Sequence, residues 1–226
     1  MVVVPLIAMT VVLSSGATLT GTLTFLPGQA NVPDPTQVRI TAPSTDQAAF
    51  GGPQPNARVD KDGHFSLAGV PAGPHLIRAN GNMRGWSLRS VTIDGRDVTD
   101  TPVELRSAQN VGNVAIVLTD KLSEINGDVM DQQGVPVPDF TVLVFSTDAA
   151  FWRPQSRQIM TARPDQTGRY RIRGLPPGDY YVATVDPAEQ GEWFEPAYLD
   201  AHRGGAAQVT LSEGDVKTKD FKVSLK

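Results

Sequence analysis

The stretch "NARVDKDGHFSLAGVPAGPHLIRA" (Asn56–Ala79) is written a second time as "TARPDQTGRYRIRGLPPGDYYVAT" (Thr161–Thr184), about 105 residues further along the chain. Ala57 meets Ala162, Asp60 meets Asp165 and Gly63 meets Gly168, while Gly69, Pro71 and Gly73 meet Gly174, Pro176 and Gly178. Glycine-rich turns invite a phosphate-loop reading. A phosphate cradle, however, needs a helix N-terminus after its glycines, and here the glycines lead into an apolar strand. The phrase therefore predicts a hairpin. The strand ending at Leu67 reverses into one beginning near His75, Gly69 and Gly73 supply positive backbone angles, and Pro71 stiffens the connection. Val70, and Leu175 in the second copy, turn inward and plug the end of the fold.

Outward from this phrase the two copies keep their order. "LTGTLTF" (Leu19–Phe25) answers "INGDVM" (Ile125–Met130), Trp86 answers Trp193, and "VAIVL" (Val114–Leu118) and "FKVSL" (Phe221–Leu225) close the copies. Apolar residues alternate with polar ones in each: Leu19, Leu23 and Phe25, then Val38 and Ile40, Phe65 and Leu67, Ile77 and Ala79, Val114, Ile116 and Leu118. Ile125 and Val129, Val142 and Val144, Tyr170 and Ile172, Tyr180 and Val182, Val209 and Leu211, Phe221 and Val223 repeat the pattern. Roughly seven such strands per hundred residues predict an antiparallel β-sandwich. No stretch sustains a helical period. The join "LTDKLSE" (Leu118–Glu124) holds neither Gly nor Pro, so one closing strand runs almost directly into the next opening strand. The expected fold is all-β: two tandem antiparallel seven-stranded sandwiches, residues 17–120 and 121–226, after an extra N-terminal strand in residues 1–16.

Composition agrees and excludes whole classes of function. Forty per cent hydrophobic residues in a chain of 226 fill two cores, and 18 prolines with 21 glycines suit short strands and tight turns. A net charge of −4 gives no reason to attract nucleic acid or anionic lipid. With no cysteine, disulfides, thiolate metal sites and thiol catalysis are absent.

"DKDGHFSLAGVPAGPHLIRA" and "DQTGRYRIRGLPPGDYYVAT" resemble the signature segment of carboxypeptidase regulatory-like domains, transthyretin-like or Ig-like seven-stranded sandwiches that occur in tandem in bacterial envelope and secreted proteins. The resemblance covers residues 17–226, and its specific part is the glycine-proline hairpin and the closing strands. It implies an accessory, non-catalytic domain, and nothing in the chain resembles the zinc peptidase that precedes such a domain in regulatory carboxypeptidases.

No constellation of residues points to catalysis. His64, His75 and His202 lack partners at metal-ligand spacing and read as exposed strand or turn residues; Arg169 and Tyr180 stand opposite the first two in the other copy. "DKDG" at Asp60 resembles the start of a calcium loop, but the second copy reads "DQTG" and no bidentate glutamate stands at the required distance. No serine occupies a nucleophile elbow. An intramolecular lysine–asparagine crosslink needs a lysine buried on a first strand, and the first copy has only Lys61 and Lys121. No catalytic residue, metal site or cofactor is expected. Trp152, Trp193, Phe194 and Tyr198 fall outside the strand alternation and read either as a sugar-stacking platform or as packing that caps the sandwich. Arg153, Arg157 and Arg163 beside them read as partners for nearby acids.

The N-terminus reads "MVVVPLIAMTVVLSSGA". It has the apolar run and small residues of a secretion signal without a basic start, and it is too short, with Pro5 inside it, to span a membrane. "MTVVL" (Met9–Leu13) is a third version of the closing strand with no copy in front of it. Val2, Val3, Val4, Leu6, Ile7, Met9, Val11 and Leu13 are therefore expected to form a donor strand at a head-to-tail contact between copies of the chain. Two functions stand as expectations: a structural subunit of an extracellular or cell-surface filament, or a carbohydrate-binding or accessory module of a larger envelope protein.

Overall fold

The computed structural model describes residues 15–28, 31–46, 54–186 and 192–224. Val2–Leu13 and Leu225 lie outside the described residues. Strands β1 (Ala17–Leu26), β2 (Val38–Thr41), β3 (Asn56–Arg58), β4 (His64–Val70), β5 (Gly73–His75), β6 (Arg78–Gly81), β7 (Ser87–Ile93), β8 (Arg96–Asp97), β9 (Val103–Leu105) and β10 (Asn110–Thr119) make up the N-terminal half. The C-terminal half holds β11 (Ser123–Asp131), β12 (Thr141–Ser146), β13 (Ile159–Ala162), β14 (Arg169–Leu175), β15 (Gly178–Val185), β16 (Ala207–Leu211), β17 (Val216–Thr218), β18 (Phe221–Val223) and helix α1 (Pro196–Arg203).

In the first half a sheet ordered β4-β1-β10-β7-β8 faces the sheet β3-β2-β6, with the pair β5–β9 beside it. Alternation gives each sheet one apolar face: Leu19, Leu23, Leu67 and Ile116 from one meet Val38, Ile40 and Ala79 from the other in a single core. In the second half β14-β11, extended by β17 and β18, faces β13-β12-β15-β16, and Ile125, Val129 and Ile172 meet Val142, Val144 and Val182. The repeated hairpin closes both halves as expected. Gly69 and Gly174 adopt φ of 78° and 83°, angles that a side chain would strain. Val70 and Leu175 are buried beneath them.

Four details depart from the expected arrangement. The pairing is antiparallel except between opening and closing strands: β1 runs parallel to β10 from Thr18↔Asn110 to Leu26↔Thr119, and β11 runs parallel to β17 and β18. The chain thus comes in at one end of each half and leaves at the other. The first parallel ladder shifts register at the glycine of "TGT", and the second is interrupted, without a shift, at the glycine of "NGD"; there the strands approach so closely that a Cβ on Gly21 would lie 1.8 Å from the Val114 carbonyl oxygen and one on Gly127 2.1 Å from that of Lys219. The closing strands also align two residues away from the quoted strings: Ile116 sits opposite Leu23 and Phe221 opposite Val129, so Ile116 and Phe221 are equivalent.

The third departure is α1, which occupies the stretch between β15 and β16. An eight-residue helix with a single buried residue, Leu199, leaves too few turns for a periodic signal. The fourth is that Trp86 and Trp193 are not equivalent. Trp86 lies in the first core, edge-on to Phe25 at 5.1 Å, whereas Trp193 packs on the outer side of the second half. Between β6 and β9 the first half lays down β7 and β8 beside β10; between β15 and β16 the second half has α1 instead.

Candidate functional site: the seam and the aromatic layer

Residues 120–122 alone separate β10 from β11, and the loop between β12 and β13 reaches back across this seam. Its first part is anchored locally. Asp148 caps the turn Ala149–Phe151 by accepting from the Ala150 amide at 2.9 Å, and the Trp152 indole N–H donates to the Ser146 carbonyl at 2.7 Å. Gln155, held at a left-handed φ of 64°, turns the chain so that Arg153, Gln155 and Arg157 all face the first half. Arg157 grips Asp100 with both arms of its fork, Nε to Oδ1 at 3.0 Å and Nη2 to Oδ2 at 2.7 Å, and also donates to the Leu88 carbonyl. Arg153 donates to the Asp100 carbonyl, and Gln155 Nε2 to that of Ser44 at 3.2 Å.

Asp100 is held from its other side by Arg78, which donates to Asp100 Oδ1 at 3.3 Å and to the Thr99 carbonyl at 2.7 Å. Burial lowers the Arg78 guanidinium to about 10; Asp100 opposes that shift, and the positive charges of Arg157 and Arg153 add to it. The side chains of Arg157 and Asp100 are only 18% and 16% exposed, so the pair is not a screened surface bridge, and loss of either member strands the other away from water. A second tie is made by Glu213, which accepts from Arg89 Nε at 3.0 Å and Thr119 Oγ1 at 3.1 Å. Burial opposes its ionisation, but these two bonds hold its carboxyl below the usual glutamate range. The Glu213 tie borders a cleft of about 260 Å³, lined also by Leu88, Lys121, Leu175 and Pro177.

The four aromatics outside the strand pattern come together on the far side of the second half. Trp152 is buried, Trp193, Phe194 and Tyr198 are half-buried, and all pack with Leu143, Phe145, Val185 and Leu199. Phe145 sits edge-on to Trp152 at 5.7 Å, and Tyr198 tilts over His202 at 4.4 Å. The indole face of Trp152 is thus turned into protein rather than toward solvent.

The histidines separate. His64 is exposed and His202 half-buried, but His75, expected at the surface, is buried to 2% exposure. The reason is its strand: β5 is paired with β9 through Val103 and bridged to Ser44, and the ring Nδ1 bonds the Ala42 carbonyl at 2.7 Å. Tyr180, its counterpart in the other copy and wholly buried, carried that signal in the sequence. Asp60 and Asp165 organise their own turns: each Oδ1 accepts two backbone amides, those of Asp62 and His64 and those of Thr167 and Arg169. Among the described residues no cluster of three or more His, Asp or Glu is placed to hold a metal, and no helix is long and apolar enough to cross a membrane. Arg153 and Arg157 pair with Asp100 of the first half rather than with acids near them in sequence, a partnership no local pattern could reveal.

Residues 124–224 match the carboxypeptidase regulatory-like domain family. The matched span is the second half, from the second residue of β11 to just past β18, and the glycine-proline hairpin of β14 and β15 lies within it. No curated protein matches the sequence. Among solved structures the chain is similar to the Bacillus anthracis TIE protein, at 12% identity and TM-score 0.31 over 92% of this chain and 34% of that one. It is similar to a minor pilin of Streptococcus agalactiae at 11% identity and TM-score 0.32, over 92% and 97%. A shaft pilin of Lactobacillus rhamnosus GG is similar at 9% identity and TM-score 0.32, over 94% and 99%. The chain spans about a third of the length of the first of these.

Proposed function

We propose that the protein is a non-catalytic structural subunit of an extracellular or cell-surface filament, built from two consecutive sandwich domains, residues 17–120 and 121–226, and joined to its neighbours by strand donation from residues 1–16. The observation that carries this reading is the parallel pairing of first and last strands in each half. Such a unit passes the chain from one end to the other, and a link of residues 120–122 stacks the next unit on it without slack. The Asp100 and Glu213 ties fit a subunit whose task is to hold shape, since they fix an angle and offer no chemistry. Electron microscopy of the purified protein tests it. Filaments are expected from the full chain and not from one lacking residues 1–13; a monodisperse monomer under all conditions, or filaments unaffected by the truncation, would overturn the proposal.

A further inference from the structure

The two halves treat their closing strands differently. In the first, β7 lies antiparallel along the outer side of β10, with Ile93 opposite Val114, Val91 opposite Ile116 and Leu88 opposite Leu118, and these three β10 residues are buried. In the second, β17 and β18 pair only with β11 among the described residues, and nothing takes the place of β7. The consequence shows at the equivalent side chain. Ile116 is fully buried, whereas Phe221 is only partly buried, and the ammonium of Lys219 stands over its ring at 5.7 Å. Val216 on the same edge is 63% exposed.

We infer that the open edge of β17 and β18 is an acceptor for an added β-strand, and that its occupant is the apolar segment Val2–Leu13 of a second copy, lying where β7 lies in the first half. The inference rests on the strand donation proposed above and names its receiving site. Backbone donors and acceptors along an unpaired edge supply the ladder, and alternate side chains of the incoming strand complete the cover over Phe221 at the rim of the core. Charge selects the occupant. Along this edge Lys217, Lys219 and Lys222 outnumber Asp215, which pairs with Lys217 at 3.6 Å, and Asp220, so a second edge of the same kind is repelled, while residues 1–14 carry no charged side chain. Val11 and Leu13, spaced to face one side of a strand, are suited to cover Phe221 in place of Val91. The other outer strand of this sheet, β14, offers no such gap: its partner-side core residues Tyr170, Ile172 and Leu175 are buried, and its outward positions are Arg169, Arg171 and Arg173.

Because the chain has no cysteine, a single Lys222→Cys substitution in the full-length protein can be labelled with a benzophenone maleimide. The labelled chain is mixed with an equal amount of 15N-labelled chain and irradiated, and crosslinked peptides are assigned by mass spectrometry. The expected product joins residue 222 to residues 1–14 of the other isotopic copy. It disappears when that copy carries Val11→Asp, which would bury a charge, and Arg169→Cys on β14 does not give it. Crosslinks confined to one copy, to a different segment, or insensitive to Val11→Asp overturn the inference. An intermolecular crosslink without filaments would keep the acceptor edge and sink the fibre, whereas filaments without the crosslink would do the reverse.

Discussion

Two equivalent sheets, one in each half, present opposite outer faces. On β3-β2-β6 the outward side chains form one row of Arg58, Arg39 and Asn80 and a second of Asn56, Thr41 and Arg78. On β13-β12-β15 the same positions read Thr161, Leu143 and Ala183, then Ile159, Phe145 and Tyr181. The inner faces match, with Val38 and Ile40 answered by Val142 and Val144. The first outer face is thus polar, and where it is covered, at Arg78, the cover is Thr99 and Asp100 of the same half, the latter held in turn by the Arg153–Arg157 loop of the other half. The second is apolar and lies beneath α1 and the aromatic residues of its own half. A sandwich needs only its inner faces and its turns to fold, which leaves its outer faces free to become either a seam or a third layer.

The sharpest way to break this comparison is Phe145→Ala. With Phe145 fully buried between Trp152 and Tyr181, the loss is expected to be about 4 kcal/mol in denaturant unfolding. Thr41→Ala at the matching position should change stability by less than about 0.5 kcal/mol; equal losses would show that the two outer faces do the same job. Next in size, Gly21→Ala and Gly127→Ala force a methyl group into backbone oxygen and are each expected to lose about 3 kcal/mol. A cheap substitution at either would mean that the parallel ladder is looser than the structure shows. Asp100→Ala strands Arg78 and Arg157 and is expected to cost about 2 kcal/mol, with a broader distribution of angles between the halves in small-angle scattering. If that distribution stays narrow, the seam is held by something other than this cluster. The smallest effect is that of acid. Glu213 is held below its ordinary pKa, so its contribution is present above the unfolded-state value and is lost as pH falls through the lowered one. Scattering curves recorded downward from pH 7 should broaden only below about pH 4.3, and Glu213→Gln should remove that dependence.

How much of this is legible in the sequence depends on whether the deciding contacts are local. The hairpin is, because Gly69, Pro71 and Gly73 fix a turn by their own backbone preferences and the second copy repeats them. Alternation places the inner faces for the same reason. The antiparallel expectation misses β1 with β10, since parallel partners far apart in sequence leave no local turn to betray them. His75 reads as exposed because a polar residue beside Pro74 looks like surface, although its burial is set by β9 and Ser44 from elsewhere in the chain. Arg157 stands out, but its partner Asp100 lies in the other half, and a pairing across that distance is decided by how two sheets stack. The aromatics group together in the sequence without their support: α1 and the apolar outer face of β12 together explain why they sit where they do.

The parallel run of β1 beside β10 has a mechanical meaning. If the chain is pulled from both ends, the force enters at the start of β1 and leaves at the end of β10, at opposite ends of adjacent strands. The hydrogen bonds between them then lie across the pull and are loaded together, in shear, rather than peeled one at a time. Single-molecule stretching of the full chain would reveal this as high, separate unfolding peaks. The first half, whose ladder runs from Thr18 to Leu26, should give way at higher force than the second, where Lys219 and Asp220 split β17 from β18. A unit threaded this way resists tension along its length more strongly than one whose terminal strands are peeled apart, because a rupture in shear has no edge from which to begin.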